Sequence, residues 1–277
     1  MDHSAFIQNA LQEDIGAGDH TSLACVPASA QGKARLLVKE AGILAGVELA
    51  KEIFHIVDPK LEMEVVIPDG SKVSVGDEAF YVSGSSQSIL TGERLVLNCM
   101  QRMSGIATKT ARFVKELDGL HAQVIDTRKT TPGIRALEKW AVRIGGGANH
   151  RMGLYDMVMI KDNHIDFCGG IPEAIQKVNA YLKDNNLDIR IEIESRNIED
   201  VKKILEIGQV HRIMLDNYTP ADCKAAVELI DGRYETEASG GINLKTIRGY
   251  GETGVDFISV GALTHSAVSM DLSLKAL

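Results

Sequence analysis

Six short apolar runs recur in the second half of the chain at intervals of twenty to thirty-odd residues, and helical patterns lie between most of them. Strand and helix alternating at this period predict repeated βα units around a parallel sheet. Six strands are fewer than the eight of a closed barrel. We therefore expect an incomplete α/β (TIM-like) barrel, or one with a further strand between Pro132 and His150. The six runs are 123–125, 157–160, 190–193, 212–215, 234–237 and 257–260.

The first hundred residues follow a different pattern, in which one short helical stretch, 4–14, precedes several extended runs. Pro68-Asp69-Gly70 predicts a hairpin turn between two of these runs, because glycine supplies the positive φ that such turns need. We expect a small α+β domain over 1–108 and the barrel over 109–277. Residues 269–277 either stay with the barrel or return to the first domain. A helical connector over 86–117 is expected to break near Gly105.

Each predicted strand ends in residues that carry chemistry. In an α/β barrel the C-terminal strand ends share one rim, where such enzymes place their active sites. The first two ends carry the cations Arg128, Lys129 and Lys161, and a cationic wall facing an acidic wall can bind an anion on one side and Mg²⁺ or sugar hydroxyls on the other. The alternative is that the two walls only neutralise each other in a structural ion-pair network. The acidic residues of the next three strands are Glu192, Glu194, Asp216 and Glu237.

The last two strand ends carry glycine pairs. Ser239-Gly240-Gly241 is expected to open a helix, and Val260-Gly261-Ala262 follows the next strand in the same way, with His265 shortly after it. Backbone N–H groups at a helix start bind phosphate, and barrel enzymes often hold phosphate with their final two βα loops. Glycine is also the ordinary loop residue, but two such pairs at consecutive strand ends favour a phosphate site.

A third glycine-rich segment, 145–151, ends in His150 and Arg151. Arginine grips a carboxylate or a phosphate through two parallel hydrogen bonds. A helix C-cap followed by a flexible loop explains the glycines equally well. Arg94 lies on the predicted connector, far in sequence from this segment. It could reach the rim only by folding over or by coming from a neighbouring subunit.

Charge is distributed unevenly along the chain. Residues 94–161 contain twelve Lys and Arg against five Asp and Glu, which leaves 18 basic and 33 acidic residues elsewhere in a chain of net charge -8. A local excess of cations in an acidic protein indicates a pocket for a small anion, since a nucleic-acid groove would usually make the whole domain basic. We expect no nucleic-acid partner.

Several other classes of protein are excluded by what the sequence lacks. The apolar runs are too short to span a bilayer, and the N-terminus has no secretory signal pattern. The four widely spaced cysteines form no CxxC pair and indicate reduced thiols, so we expect a cytoplasmic protein without a zinc site. Motifs of covalent hydrolases, zinc peptidases, P-loop kinases and Rossmann dehydrogenases are absent. The class of enzyme that remains is one that acts on a phosphorylated, multiply anionic substrate by electrostatic catalysis.

Taken together, the motifs resemble those of the quinolinate phosphoribosyltransferases, which are also called nicotinate-nucleotide pyrophosphorylases (carboxylating). The resemblance covers nearly the whole chain in order and spacing, and it departs from the family at no motif position. The barrel motifs are DTRKTTPG (126–133), GGGxNHR (145–151), IKDNH (160–164), ExES (192–195), LDN (215–217), SGGI (239–242) and VGALTH (260–265). EDIGxGDxT (13–21), GERxxLN (92–98) and SGIAT (104–108) match in the first domain and the connector.

The resemblance implies a pentosyl-transferring glycosyltransferase of de novo NAD biosynthesis, with an N-terminal α/β sandwich and an incomplete barrel. Quinolinate and phosphoribosyl pyrophosphate (PRPP) would give nicotinate mononucleotide, pyrophosphate and CO2 with Mg²⁺. It also implies a homo-oligomer, at least a dimer and in some members a hexamer, in which Arg94 enters the partner's site.

The resemblance further assigns roles to single residues. Lys129, Lys161, Glu192 and Asp216 would be catalytic, and Glu192 and Asp216 would face the ribose and the metal, directly or through water or substrate. Substrate contacts would come from a larger set: Arg94, Thr127, Arg128, Lys129, His150, Arg151, Lys161, Glu192, Asp216, Ser239, Gly240, Gly241, Val260, Gly261, Ala262 and His265.

Two other readings remain. A ModD-like paralogous phosphoribosyltransferase shares parts of the motif set. A non-catalytic phosphometabolite-binding protein could keep the phosphate cradle, although a binder would not need Glu192 and Asp216 opposite the cations. Product formation from quinolinate distinguishes all three.

Overall fold

The structure, a computed structural model, describes residues 3–277 and contains two compact units. The first unit comprises the residues up to Ala111, Thr130–Gly146 and Ser266–Leu277. The second comprises Arg112–Lys129 and Gly147–His265. The units therefore do not follow the predicted ranges 1–108 and 109–277, because two later segments pack with the first hundred residues.

The described residues form eleven helices and twelve strands. None of these helices is long and apolar enough to cross a membrane. The helices are α1 Ser4–Ile15, α2 His20–Cys25, α3 Val47–Val57, α4 Ser86–Glu116, α5 Arg135–Ile144, α6 Asp162–Cys168, α7 Ile171–Asp184, α8 Ile198–Ile207, α9 Pro220–Ile230, α10 Ile247–Gly251 and α11 Ala262–His265. The strands are β1 Gln31–Val38, β2 Gly42–Ile43, β3 Glu62–Val65, β4 Lys72–Val73, β5 Glu78–Ser85, β6 Gln123–Ile125, β7 Val158–Ile160, β8 Ile191–Ser195, β9 Arg212–Asp216, β10 Glu235–Ser239, β11 Phe257–Ser259 and β12 Leu272–Ala276.

The first unit is built on a four-stranded antiparallel sheet in the order β12-β1-β5-β3. Its edge strand β12 is the C-terminal tail, which pairs with β1 so that Leu272 lies opposite Val38. The tail therefore belongs with the first unit.

The prediction of a hairpin at Pro68-Asp69-Gly70 is wrong. A turn forms, with Gly70 at φ +85°, but β3 pairs with β5 and β4 pairs with β2. Asp69 instead contacts the start of α3, where its Oδ1 accepts a hydrogen bond of 2.8 Å from the backbone N–H of Val47. A local turn signal does not determine which strands pair.

Helix α4 runs for 31 residues without the break predicted at Gly105. A helical glycine costs only about 1 kcal/mol relative to alanine, and the buried side chains of Met100, Met103 and Ile106 hold this part of the helix in the core. Glycine is required here by packing, because a Cβ at position 105 would lie 2.0 Å from the carbonyl oxygen of Val268.

The second unit contains six parallel strands in the order β6-β11-β10-β9-β8-β7. All six predicted runs form strands, and the predicted incomplete α/β barrel is confirmed. The further strand considered between Pro132 and His150 is reduced to a single parallel bridge, from Ala148 to Ile125.

Strands β8, β9 and β10 alternate apolar and polar residues. Ile193, Ile213 and Ala238 are wholly buried on one face, so the charged residues between them point to the other face. The helices that follow start immediately, since Asn197 caps α8 and Thr219 caps α9 through their side chains. Short connections of this kind keep the strand ends at fixed positions.

Candidate active site

Charged side chains line one face of β8, β9 and β10 in three rows. Side chains two residues apart on one strand share a face with their paired neighbours on the next strand. The row nearest the strand starts contains Glu192, Arg212 and Glu235, the middle row contains Glu194, Met214 and Glu237, and the row at the strand ends contains Asp216 and Ser239. Carboxylates therefore occur at three depths on one face.

Glu192 does not lie at the rim, where the sequence predicts it. It is the second residue of β8, paired with the first residue of β9, and it is wholly buried. Glu194, one row nearer to the strand ends, is the carboxylate of β8 that lies closer to the expected rim. The predicted run ends at residue 193, whereas β8 continues to Ser195, so Glu192 lies inside the strand and Glu194 lies next to its end.

A buried cluster surrounds the imidazole of His150. Its Nε2 lies 2.9 Å from Oε2 of Glu192 and 3.3 Å from Oε2 of Glu237. Arg212 holds Glu237 from the other side at 3.1 Å and also bonds Glu235 at 2.9 Å. Glu192 and Glu237 have no exposed surface. Their negative charges are therefore stabilised by His150 and Arg212 and not by water.

The other ring nitrogen of His150 is also engaged. The backbone N–H of Arg151 donates to Nδ1 at 2.6 Å. The backbone N–H of His150 donates to Oδ1 of Asp126 at 2.9 Å, and Oδ2 of Asp126 accepts from Asn149 at 2.5 Å. Segment 149–151 is thus held by the buried side chains of Asp126 and His150. The His150 ring accepts a hydrogen bond at Nδ1 and lies within ion-pair distance of the two glutamates at Nε2.

The pKa values of the three titratable groups in this cluster shift in different directions. Burial and the charge of Glu237 raise the pKa of Glu192 to about 7, although His150 opposes the shift. Burial also disfavours the charged form of Glu237, but His150, Glu192 and Arg212 outweigh it and lower its pKa. Burial lowers the pKa of His150, whereas the two glutamates raise it to a net value of about 9. A charged imidazole carries a proton on both nitrogens. The Arg151 N–H that donates to Nδ1 disfavours the charged form, because it occupies the lone pair that the second proton would need.

Two guanidinium groups form a cationic cluster next to this segment. Burial lowers the pKa of Arg151, and the positive charge of Arg128 lowers it further. Arg151 donates from Nη1 to the carbonyl of Met157 at 3.1 Å. The Nε of Arg128 is buried and has no hydrogen-bond partner among residues 3–277. Two like charges held together with an unsatisfied donor favour an anionic ligand.

The strand ends of β7, β8 and β9 bring a lysine to two carboxylates. Lys161 Nζ donates to Oε1 of Glu194 at 2.8 Å, and the backbone N–H of Asp162 donates to its Oε2 at 3.1 Å. Burial and the charge of Glu194 raise the pKa of Asp216, whereas Ser239, the charge of Lys161 and Asn217 lower it. Lys161 therefore offsets part of the negative charge of Glu194 and Asp216 at the strand ends, and the two carboxylates remain available as oxygen ligands.

The glycine loops form as predicted at the ends of β10 and β11, with one correction. Ser239-Gly240-Gly241 does not open a helix, since α10 begins only at Ile247, whereas Gly261 directly precedes α11. Gly240 has φ +103°, and a Cβ there would lie 2.2 Å from Oδ1 of Asn217. A Cβ on Gly261 would lie 2.9 Å from Cδ of Lys129. The stem of Lys129 therefore lies against the second glycine loop.

The remaining predicted site residues lie in several places. The hydroxyl of Thr127 accepts from the backbone N–H of Lys129 at 3.0 Å. Val260 is buried at the end of β11, and His265 is the exposed last residue of α11. Arg94 is exposed on α4 in the first unit. The second unit thus supplies every predicted site residue except Arg94.

Two sets of residues could hold a metal ion. The ligand atoms of His150, Glu192 and Glu237 lie within 4.8 Å of one another, but the charge of Arg212 already balances this fully buried group. Glu194 and Asp216 are oxygen donors at the strand ends, and Mg²⁺ prefers one or two carboxylates together with substrate phosphate. The second pair fits Mg²⁺ better than the buried cluster does.

The sequence alone did not identify Asp126 and Arg212 as parts of the site. Asp126 anchors the segment that carries His150, and Arg212 balances the buried glutamates. Alternation along β9 contained a signal for Arg212, because residues 212, 214 and 216 share a face. Asp126 stands in the strand-end motif DTRKTTPG, but the sequence predicts no role for it, because its partners Asn149 and His150 lie more than twenty positions away.

Two family models match the chain. "Quinolinate phosphoribosyl transferase, N-terminal domain" matches residues 19–104, and "Quinolinate phosphoribosyl transferase, C-terminal domain" matches residues 106–275. Together they extend over most of both units.

Individual proteins are similar over nearly the full chain. A mitochondrial quinolinate phosphoribosyltransferase [decarboxylating] 2 of Nicotiana glauca is 49% identical, over 97% of this chain and 80% of its own length. A probable nicotinate-nucleotide pyrophosphorylase [carboxylating] of Bacillus subtilis is 42% identical, over 95% of this chain and 89% of its own. The crystal structure of NadC from Streptococcus pyogenes superposes with a TM-score of 0.93 at 38% identity, covering 99% of this chain and 97% of that one.

Proposed function

The chain belongs to the quinolinate phosphoribosyltransferase family, and we propose that the strand ends of its second unit carry out this family's reaction. The enzyme transfers a phosphoribosyl group to quinolinate with decarboxylation, in NAD biosynthesis. Quinolinate and PRPP give nicotinate mononucleotide, pyrophosphate and CO2. The observation that carries the proposal is the cationic cluster of Arg128 and Arg151 on the same unit as the carboxylates Glu194 and Asp216.

Quinolinate binds at the cationic cluster. Its two carboxylates are neutralised by Arg128 and Arg151, and the buried Nε of Arg128 supplies a donor that the protein leaves unused. Lys129 and Lys161 lie at the ends of the flanking strands and contribute further positive charge. Holding the dicarboxylate beside the ribose supplies proximity and orientation.

Glu194 and Asp216 face the ribose. Loss of pyrophosphate leaves positive character on the anomeric carbon, as in oxocarbenium-like glycoside cleavage, and fixed carboxylates stabilise it. The support for Glu194 in this role, in place of Glu192, is its position one row nearer the strand ends and its contact with Lys161. Decarboxylation follows from the positive charge that the ring nitrogen gains.

Glu194 and Asp216 would also hold Mg²⁺. When bound, Mg²⁺ neutralises part of the pyrophosphate charge. Burial and the charge of Glu194 raise the pKa of Asp216, and a bound cation would offset both effects, which supports a cation at this position. The loops at Gly240 and Gly261 hold the 5'-phosphate, where the absence of side chains leaves backbone N–H groups accessible.

We also propose a cytoplasmic homo-oligomer, at least a dimer, in which Arg94 enters the partner's site. The exposed position of Arg94 on α4 supports this. The four cysteines are free thiols, which supports a reducing compartment.

The test supplies PRPP, Mg²⁺ and quinolinate and follows nicotinate mononucleotide and CO2 release. We expect product with quinolinate and none with nicotinate under the same conditions. Absence of product, or equal use of nicotinate, would reject the proposed function.

A further inference from the structure

The buried cluster around His150 has no role in the reaction described above. Given the proposed function, we propose that Glu192 and Glu237 are positioning residues that act through His150 to hold Arg151 in place for quinolinate. His150 is then a link between the buried glutamates and the cationic cluster, and it does not bind substrate through its ring nitrogens.

The contacts form a continuous path from the sheet to the cationic cluster. Glu192 and Glu237 meet Nε2 of His150 at 2.9 and 3.3 Å. The opposite ring nitrogen, Nδ1, receives the backbone N–H of Arg151 at 2.6 Å. Rotation of the ring would break the hydrogen bond at Nδ1 and move Nε2 away from both carboxylates. The position of the glutamates therefore fixes the ring and, through Nδ1, the backbone at Arg151.

This geometry separates His150 from the substrate. The resemblance to the family assigns His150 a substrate contact, but Nδ1 and Nε2 are its two polar side-chain atoms and both are directed at protein groups. The side chain is 4% exposed. The contribution of His150 to quinolinate binding therefore passes through Arg151.

Arg151 needs such support because it lies close to another cation. Burial and, after it, the charge of Arg128 lower the pKa of Arg151, while the charge of Glu192 opposes them. Before an anion binds, only protein contacts oppose the repulsion between the two guanidinium groups. Nη1 of Arg151 donates a hydrogen bond to the carbonyl of Met157 at 3.1 Å. The backbone N–H of Arg151 donates to Nδ1 of the His150 ring.

The cost of burying the glutamates agrees with a functional role. Burying a carboxylate is unfavourable, and a buried ion pair often stabilises a fold no better than apolar residues of the same volume. The pairing of Arg212 with Glu237 reduces the cost but does not explain why a His is bound between two glutamates. Orientation of segment 149–151 explains it.

The experiment compares Glu237→Gln with the matched control Glu235→Gln. Both residues lie on β10 and bond Arg212, but only Glu237 contacts His150. For Glu237→Gln we expect the KM for quinolinate to rise about tenfold, the effect of misplacing one charge-assisted contact. The KM for PRPP should stay within about twofold. The control should keep both constants near those of the unmodified enzyme.

A double-mutant cycle tests whether the effect passes through His150. His150→Phe keeps a ring of similar size and removes the hydrogen bond at Nδ1 and the ion-pair contacts at Nε2. It should raise the KM for quinolinate by itself, and Glu237→Gln should add little in that background. Thermal unfolding is followed for every variant. If Glu237→Gln does not fold, Glu192→Gln, whose residue also contacts Nε2, takes its place in the cycle.

The outcomes are distinct. A similar loss for both substrates, an unchanged quinolinate KM, or full additivity in the cycle would overturn the positioning role while the enzyme remained active. An unmodified enzyme without turnover of quinolinate would reject the proposed function itself.

Discussion

His150 and Glu192 meet at 2.9 Å, between Nε2 and Oε2, with almost no exposure of either side chain. The carboxylate belongs to the deepest row of the sheet face, and the imidazole belongs to the segment that carries Arg151. This contact joins the sheet interior to the residues that would bind the substrate anion. The two carboxylates on this face of β8 also have different partners, since Glu192 contacts His150 and Glu194 contacts Lys161.

Replacing Arg151 by lysine should weaken quinolinate binding by about tenfold or more, because an ammonium cannot reproduce the planar pair of donors that a carboxylate accepts from guanidinium. Calorimetric titration with quinolinate measures the effect. Arg143→Lys, at an exposed position on α5, is the matched control and should bind like the unmodified protein. Equal affinity in the two variants would remove Arg151 from the site.

Asp216→Asn should lower kcat by roughly a hundredfold, the range typical of losing one electrostatic contact in a transition state. Quinolinate should still bind, because Asp216 belongs to the acidic pair and not to the cationic cluster. Steady-state kinetics over a range of Mg²⁺ concentrations check this, with Asp188→Asn as an exposed control. Full turnover in Asp216→Asn would contradict the role given to it.

Gly240→Ala should raise the KM for PRPP about tenfold or more, because a Cβ at 2.2 Å from Oδ1 of Asn217 must displace the loop that holds phosphate. Gly232→Ala is the matched control. Gly232 also has a positive φ, +66°, but nothing lies within 4 Å of its added Cβ. Gly232→Ala should lose about 1 kcal/mol of stability from its positive φ alone. Gly240→Ala should lose more because of the clash with Asn217, and only Gly240→Ala should lose PRPP affinity. A parallel loss in the control would attribute the effect to backbone strain alone.

The contribution of His150 to stability should decline at alkaline pH. Its pKa rises from 6.5 to about 9 on folding. A raised pKa means that the folded state binds the proton more tightly, so the stabilisation is complete below the unfolded value and is lost as pH rises through the folded one. Urea unfolding of the unmodified protein and of His150→Phe, at about pH 6 and about pH 9.5, should give a difference that shrinks at the higher pH. Parallel pH dependences would contradict the assignment.

Mixing two inactive variants tests whether Arg94 serves a partner's site. If Arg94 enters the neighbouring subunit, a mixed dimer of Arg94→Ala and Arg151→Ala contains one site with both changes and one with neither. Subunit exchange should then restore about a quarter of the activity, since about half the dimers are mixed and one site in each is intact. Activity that stays at the level of the separate variants would place Arg94 outside the partner's site.

Most of the second unit could be predicted from local patterns. The six βα repeats follow from periodicity, because a buried strand and an amphipathic helix each have a characteristic spacing of apolar residues. The same periodicity predicts where strands end, and it predicts Lys161 directly after β7 and Asp216 at the end of β9, where the structure has them. Their roles in the site remain predictions.

Other features depended on contacts between distant segments. The return of the C-terminal tail to β1 and the pairing of β3 with β5 are set by side-chain packing over long sequence separations, and a turn signal at Pro68-Asp69-Gly70 was misleading for that reason. Gly105 was read as a break because a helical glycine is locally unfavourable. Its actual partner, the carbonyl of Val268, lies at the other end of the chain.

The sequence by itself determined the repeat, the positions of the strand ends and the chemical character of the two charged walls, because these depend on residue type and spacing. Only the tertiary structure decided which carboxylate of β8 faces the strand ends. Glu192 and Glu194 are identical in type and lie on the same face, and the continuation of β8 to Ser195 places Glu192 inside the strand and Glu194 next to its end. The pairing of β9 with both β8 and β10 brings Glu192 and Glu237 close enough to contact one imidazole, and it exists only when non-adjacent segments pack together.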